Sequence, residues 1–415
     1  MEGIIIKEIV CNGNRVDIDF SVSDGLEDFF LPEHHFFAEY SCDISDVPNS
    51  VLVVPLLSNI LQFSWLVDCV VWVNEIDKNF YDAIPKIKYA FREMYPDYSF
   101  KGTLIPAKLV ENSYIPQQQS ITLFTGGIDA TTTFLRHLEE KPVLLNTNGW
   151  YKKDVQPNEV YNADRTAIEE IADQFSVSSC FVRSNFARFL RAEVINKRFR
   201  RKVHNSWWRG FQHSLAFLGC AAVAGYHYRV ANLYIGSSHT FGEYANIVSD
   251  PRIDNCFAVS SMTTTHDAYE MSRQDKVHYI LETQRKLQKT VPLRVCSFNA
   301  YNCCGCEKCM RSMLAILAEG GDVEALGFHL RDTFLNTLKR FLKEKITELD
   351  SVHILFWFDI IKRMEENYDQ LAEKEVYHYL SNFDFKKTRR EYLWSYYTKN
   401  FWKIIKRKLG AGRRK

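Results

Sequence analysis

A chain of 415 residues has room for two or three domains, and with 46% hydrophobic and 25% charged residues it can bury a sizeable core. Its 52 Lys and Arg stand against 51 Asp and Glu, and the net charge of +1 excludes a globally basic nucleic-acid binder. With 18 Gly and 11 Pro, collagen-like and low-complexity classes are excluded too.

Residues 1–7 carry no basic n-region and only three consecutive apolar residues, so no signal peptide is expected there. Residues 4–10 and 15–20 alternate as strands around a turn at Cys11-Asn12-Gly13-Asn14. Residues 50–73 are long and apolar, but Pro55, Asn59, Gln62 and Asp68 interrupt them. Placing Asp68 in lipid would cost about 2.5–3.5 kcal/mol. The expectation is therefore a buried strand over 51–57, a core helix over 60–73, no membrane span and a cytoplasmic location. Helical periodicity returns at 80–94 and stops at Tyr95-Pro96-Asp97. The polar connector Pro116-Gln117-Gln118-Gln119-Ser120 sets off residues 1–115 as an N-terminal α+β domain.

From Ile121 strands and helices alternate. Strands are expected at 121–124, 143–146, 180–182 and 231–235, with helices running to Glu140 and over 159–175 and 214–225. Such alternation gives an α/β fold, a parallel sheet sandwiched by helices, with ligands beyond the carboxyl ends of the strands. After Cys309 the pattern is helical, over 310–318, 333–349 and 351–368. The last 17 residues hold eight Lys or Arg and no acid. This basic tail is expected to be solvated or to contact nucleic acid, a membrane surface or a partner protein.

Phe124-Thr125-Gly126-Gly127-Ile128-Asp129-Ala130-Thr131 follows a strand and opens a helix. Two glycines let the backbone turn tightly and approach a phosphate, and the helix N-terminus offers unpaired N–H groups to an anion. Asp129 suits an anion site only if a divalent cation lies between it and the phosphates. No Gly-Lys-Ser/Thr ends the loop, so it is not a Walker A motif. It resembles the Ser-Gly-Gly-x-Asp-Ser loop of the PP-loop ATP pyrophosphatases, with Thr125 for the first serine and Ala130 for the second.

The 11 cysteines include five between Cys296 and Cys309. Cys303, Cys306 and Cys309 have two residues between successive members, and Cys296 lies seven positions before Cys303. Four thiolates so spaced suit a closed tetrahedral Zn²⁺ site, with Cys304 as spectator; an iron–sulfur cluster uses the same ligand set. The other six cysteines read as small buried hydrophobes.

The glycine loop and the cysteine knuckle together resemble the 7-cyano-7-deazaguanine synthase group of the PP-loop superfamily, over residues 120–317. Residues 318–415 then form a helical extension. The resemblance implies an adenine-nucleotide alpha-hydrolase-like fold and an ATP- and Mg²⁺-dependent ligase of the queuosine-precursor type. It implies ATP at Thr125, Gly126, Gly127, Ile128, Asp129, Ala130, Thr131 and Asn146, with Asp129 and Lys276 catalytic. It implies substrate contacts at Ser237, Ser238, His239 and Arg273, and zinc at Cys296, Cys303, Cys306 and Cys309. The acceptor is a carboxylate on a small molecule or protein, and the second substrate ammonia or another amine. A homodimer is compatible with this reading. Two alternatives stand: an adenylating enzyme for a protein or sugar acid in a specialised or anti-phage gene cluster, and an inactive nucleotide-binding scaffold, which Ala130 favours. Polar-turn, solvated-helix and loop roles explain Ser237 to His239, Arg273 and Asn146 equally well from sequence.

Overall fold

The computed structural model describes residues 2–149, 157–242, 246–296, 299–349, 351–395 and 397–398, excepting the side chains of residues 157, 158, 351 and 352. The basic tail expected to contact a partner lies outside the described residues. By contact the chain divides into two compact units, Met1–Ser272 and Arg273–Lys415.

In the first unit, eleven strands form one sheet among the described residues. They are β1 (Gly3–Asn12), β2 (Arg15–Val22), β3 (His35–Tyr40), β4 (Val70–Asp77), β5 (Thr103–Val110), β6 (Gln118–Leu123), β7 (Val143–Asn148), β8 (Ser179–Ser184), β9 (Val230–Gly236), β10 (Ala258–Val259) and β11 (Met262–Asp267). Their order is β10-β11-β9-β6-β7-β8-β3-β2-β1-β4-β5. The sheet is mostly parallel and flanked by helices, an α/β architecture. β6 pairs in parallel with β7 on one side and β9 on the other, and the parallel run continues to β8 and β11. The winding direction thus reverses at β6. At such a reversal the connections leave a crevice beyond the carboxyl ends of the two central strands.

β1 and β2 form an antiparallel hairpin. β3 extends it and then pairs antiparallel with β8 through Ala38–Ser184, Glu39–Arg183 and Tyr40–Val182. The connector at 116–120 lies within the first unit and runs into β6.

Two expectations for residues 50–73 are corrected. No strand forms over 51–57; the residues lie in the helices Asn49–Leu52 and Val54–Val67, with Val53 the turn residue between them. Pro55 sits in the first turn, where its missing N–H costs no helical bond. The helix then ends at Val67, where Asp68 takes a left-handed conformation with φ 58°, and Val70 to Val73 belong to β4. Thirteen of the 14 residues of Val54–Val67 are buried. An element covered on every side has no amphipathic stripe, so periodicity could not separate it from a buried strand. Asn59 and Gln62 donate to the carbonyls of Pro55 and Ser58 at 2.8 and 2.6 Å, which gives each amide nitrogen a partner inside the apolar core. Phe63 packs edge-on against Phe29, Phe30 and Trp207, and its truncation to Ala would cost about 3–5 kcal/mol.

Buried Asp77 caps the helix Lys78–Met94, accepting from the Phe80 N–H. It also accepts from the Ser260 N–H and Oγ and from Asn112 Nδ2, all within 2.9–3.0 Å. One carboxylate thereby joins β4 to the β10–β11 turn.

The second unit is helical. It contains Arg273–Leu287, Glu307–Ala318, Phe334–Lys345, Ser351–Glu366 and Lys374–Ser381, with helix again over 385–395. Among the described residues no helix is long and apolar enough to cross a membrane.

Candidate functional site

The glycine loop lies at the carboxyl end of β6, where the winding reverses. Backbone bonds fix its base: Phe124 N–H donates to Leu145 O at 2.8 Å, and Asn146 Nδ2 donates to Phe124 O at 3.0 Å. Gly126 has φ 74°, a conformation that glycine adopts without strain. Gly127 caps the helix Ile128–Arg136 with φ −74° and ψ 165°, which any residue could adopt. A Cβ there would meet only Thr125 Oγ1, at 3.4 Å. Nothing among the described residues requires glycine at 127, whereas a group approaching the loop backbone would.

Ile128 and Ala130 are buried, Asp129 is half-buried in the first helical turn, and Thr125 is exposed. The hydroxyls that follow Ala130 differ in their partners. Thr132 Oγ1 donates to Ile128 O at 2.9 Å. Thr131 Oγ1 is buried and makes no hydrogen bond among the described residues. Asn146 uses its amide to hold the loop rather than projecting it outward.

The neighbouring strand β9 reaches the same edge. A Cβ on Gly236 would lie 2.7 Å from Asp129 O and 3.0 Å from Thr133 Oγ1. Ser237 is buried; its N–H donates to Asp267 O at 2.9 Å and its Oγ to His239 O at 2.5 Å. Ser238 is exposed and His239 half-buried. Thus residues 125–131, Asn146 and Ser237 gather at one sheet edge.

The far end of the loop helix is locked by a charged cluster that sequence reasoning missed. His137 Nδ1 lies 3.0 Å from Glu140 Oε1 and Nε2 lies 3.2 Å from Asp267 Oδ1. Its ring stacks on Tyr234 with centroids 3.7 Å apart. Burial opposes charge on His137, but the hydrogen bonds it donates to Asp267 and Glu140 outweigh it and raise its pKa. Burial likewise works against ionised Asp267, yet the His137 hydrogen bond and the Arg136 charge hold its pKa below the usual value.

In the second unit, Cys296, Cys303, Cys306 and Cys309 bring their Sγ atoms within 4.8 Å of one another. Cys303 and Cys309 are 3.9 Å apart. A tetrahedron with Zn–S bonds of about 2.3 Å has edges of about 3.8 Å, so this thiol set fits a metal such as zinc. Cys306 precedes the helix Glu307–Ala318 as its N-cap, and Cys309 lies in the first turn. A hydrogen bond from Cys309 draws the Cys306 thiol down to about 5 against the effect of burial, and Cys309, as donor, moves up. Cys304 turns away in a left-handed conformation, φ 52°, with its thiol toward Asn302 O, and burial pushes it up to about 11.

Asn302 fastens the knuckle. Its Oδ1 accepts from the N–H groups of Val295 and Cys296, and its Nδ2 donates to Leu293 O and Gly327 O. Asn299 Nδ2 approaches Cys296 Sγ at 3.6 Å, the kind of outer contact that tunes a thiolate. Arg311 pairs with Glu307 at 2.9 Å and lies over Phe356.

Arg273 and Lys276 open the helix Arg273–Leu287. Lys276 is buried, so it does not belong to a solvated helix face. Arg273 is half-buried, with its guanidinium 5.8 Å from the Phe356 centroid. No family model matches the chain, and no curated protein matches it.

Proposed function

We propose that the chain is an ATP-dependent, AMP-forming ligase that activates an acceptor carboxylate and passes it to ammonia or another amine. The reading rests on the loop at residues 125–131. It lies at the winding reversal, has a glycine at 127 for which the described residues give no reason, and buries at Thr131 a hydroxyl with no hydrogen-bond partner among them. Those features suit a nucleotide phosphate group, a strong acceptor that approaches backbone closely.

In this mechanism the N–H groups at the start of the helix Ile128–Arg136 and the Thr125 and Thr131 hydroxyls orient the ATP phosphates. Asp129 and the phosphates would hold Mg²⁺, which offsets phosphate charge when bound. The acceptor carboxylate attacks the α-phosphorus, the bond to the β-phosphate breaks, and pyrophosphate leaves. A cation would stabilise the charge on that leaving group. The amine then displaces AMP from the activated carboxyl carbon. Four thiolates around zinc would leave no open position, so the metal's role is structural.

The acceptor is proposed to be 7-carboxy-7-deazaguanine or a related acid, with a protein or sugar acid as the variant reading. Ala130, in place of a hydroxyl, favours an inactive scaffold as the second reading. Incubation with ATP and Mg²⁺, with and without 7-carboxy-7-deazaguanine, separates them. Acceptor-dependent AMP and pyrophosphate support the synthase-like activity. AMP without dependence on that acid supports another acceptor. Nucleotide binding with no AMP under any condition rejects the enzyme.

A further inference from the structure

The helix Ala192–Val203 buries Ile195, Phe199 and Val203. At about 100° per residue these three fall within one narrow arc. Lys197 and Arg201 lie nearly opposite that arc, with Arg200 beside them. The exposed positions of this helix are Glu193 and five cations: Lys197, Arg198, Arg200, Arg201 and Lys202. Glu193 is engaged by Arg191, and Arg198 lies over the Phe29 ring. No carboxylate among the described residues pairs with Lys197, Arg200, Arg201 or Lys202.

This charge is local. Residues 188–209 hold eight Lys or Arg and one Glu, while the rest of the chain has 44 basic against 50 acidic residues. Cations in a last helical turn complement the helix dipole, which accounts for part of Arg200 to Lys202. It does not account for Lys197, which repels Arg200 and Arg201 one turn away. The surface therefore tolerates self-repulsion that a bound anion would relieve.

We propose that this helix face binds the phosphodiester backbone of a single-stranded nucleic acid. Protein partners are held by a buried apolar core within the interface, and this face exposes no apolar side chain in full. Backbone binding to nucleic acid needs mainly charge, and arginine forks match phosphate oxygens. Trp208 stacks on Phe186 and packs against His213 and Phe217, so the planar group after the helix on which an unpaired base could stack is the exposed Arg209 guanidinium. The assignment does not depend on ATP chemistry.

The test is fluorescence anisotropy of the full-length protein with a fluorescein-labelled 20-nucleotide single-stranded RNA, without ATP, at 50–200 mM salt. The triple variant Lys197→Glu, Arg200→Glu, Arg201→Glu is expected to bind at least about tenfold more weakly. Its salt slope should fall by about 2, since each lost contact to a single strand removes about 0.7. The triple Gln variant serves as a charge-neutral second test, and its affinity should fall between the two. Absence of binding by the native protein overturns the proposal. So does equal affinity in both variants, which would assign binding to the basic tail or elsewhere. Tighter binding to a 20-base-pair DNA duplex, or displacement by polyglutamate as effective as by unlabelled RNA at equal charge, overturns it too.

Discussion

Gly236 lies flat against Asp129: a Cβ at 236 would stand 2.7 Å from the Asp129 carbonyl oxygen, closer than a Cβ carbon can approach. The last residue of β9 and the acidic residue of the glycine loop are held in register by a missing side chain. Gly236→Ala must push the loop helix away from the sheet. We expect a stability loss of about 1–3 kcal/mol from overpacking, read as a lower denaturation midpoint. Nucleotide binding by calorimetry should fall further than that loss explains. An alanine variant with native affinity would show that the loop does not depend on this contact.

Asp129→Asn should leave the fold intact and abolish ATP cleavage. Asparagine keeps the size of the side chain near the helix start but not the charge that a divalent cation requires. Pyrophosphate release by the variant at the native rate would remove Asp129 from the chemistry.

The hydroxyls after Ala130 should separate by their partners. Thr132 is occupied by Ile128 O, whereas Thr131 has no partner among the described residues, so Thr131 is the one available to replace the missing serine. Thr131→Val should lower AMP formation about 10²–10³-fold, the usual cost of one donor to a developing charge. Thr132→Val should change it much less, and Ala130→Ser should have little effect. An inert native protein that gains activity on Ala130→Ser would decide for the scaffold.

Purified protein should contain about one zinc per chain by elemental analysis. Cys304→Ser should keep it, and Cys306→Ser should lose it together with stability of the helical unit. Asn302→Ala, which removes the side chain that ties Val295 and Cys296 to the knuckle, should weaken zinc about 10–100-fold in chelator competition. Iron with labile sulfide would overturn the assignment of the metal.

The cluster around His137 should make stability depend on pH in two directions. His137 is raised in the folded state, so its contribution is full below its unfolded value and is lost as pH rises through the higher folded one. Asp267 is lowered, so its contribution is present above its unfolded value and is lost as pH falls through the lower folded one. His137→Gln should therefore reduce Tm more at pH 5.5 than at pH 8.5. Equal reductions at both would mean that the charge contributes nothing.

The parts of the fold legible in the sequence were those encoded locally. The turn at Gly13 between alternating runs marked the β1–β2 hairpin, and strand–glycine–helix punctuation marked the loop at 124–131. Thiol spacing brought four cysteines together because three of them lie within seven residues. What was hidden depends on partners distant in sequence. Val51, Val53 and Val54 favour strands as residues, yet burial on all sides holds them in or beside helices. The pairing of β3 with β8 joins residues almost 150 positions apart, and no local pattern encodes it. The need for glycine at 236 lies in the backbone of Asp129, which no local pattern encodes. The resemblance implies a catalytic Lys276, and only the fold shows that this lysine is buried.

The three-pair seam between β3 and β8 also sets a timetable for synthesis. When Tyr40 leaves the ribosome, its partner strand has not been made. At about 5–20 residues per second, Ser184 follows some 7–30 s later. Through that interval β1, β2 and β3 carry an open edge that can pair with any extended chain nearby. Aggregation during production should therefore respond to factors that shield the first 110 residues, such as lower temperature or a holdase chaperone. A polar substitution on the outer face of β3 should raise soluble yield without changing the melting point of protein that has folded.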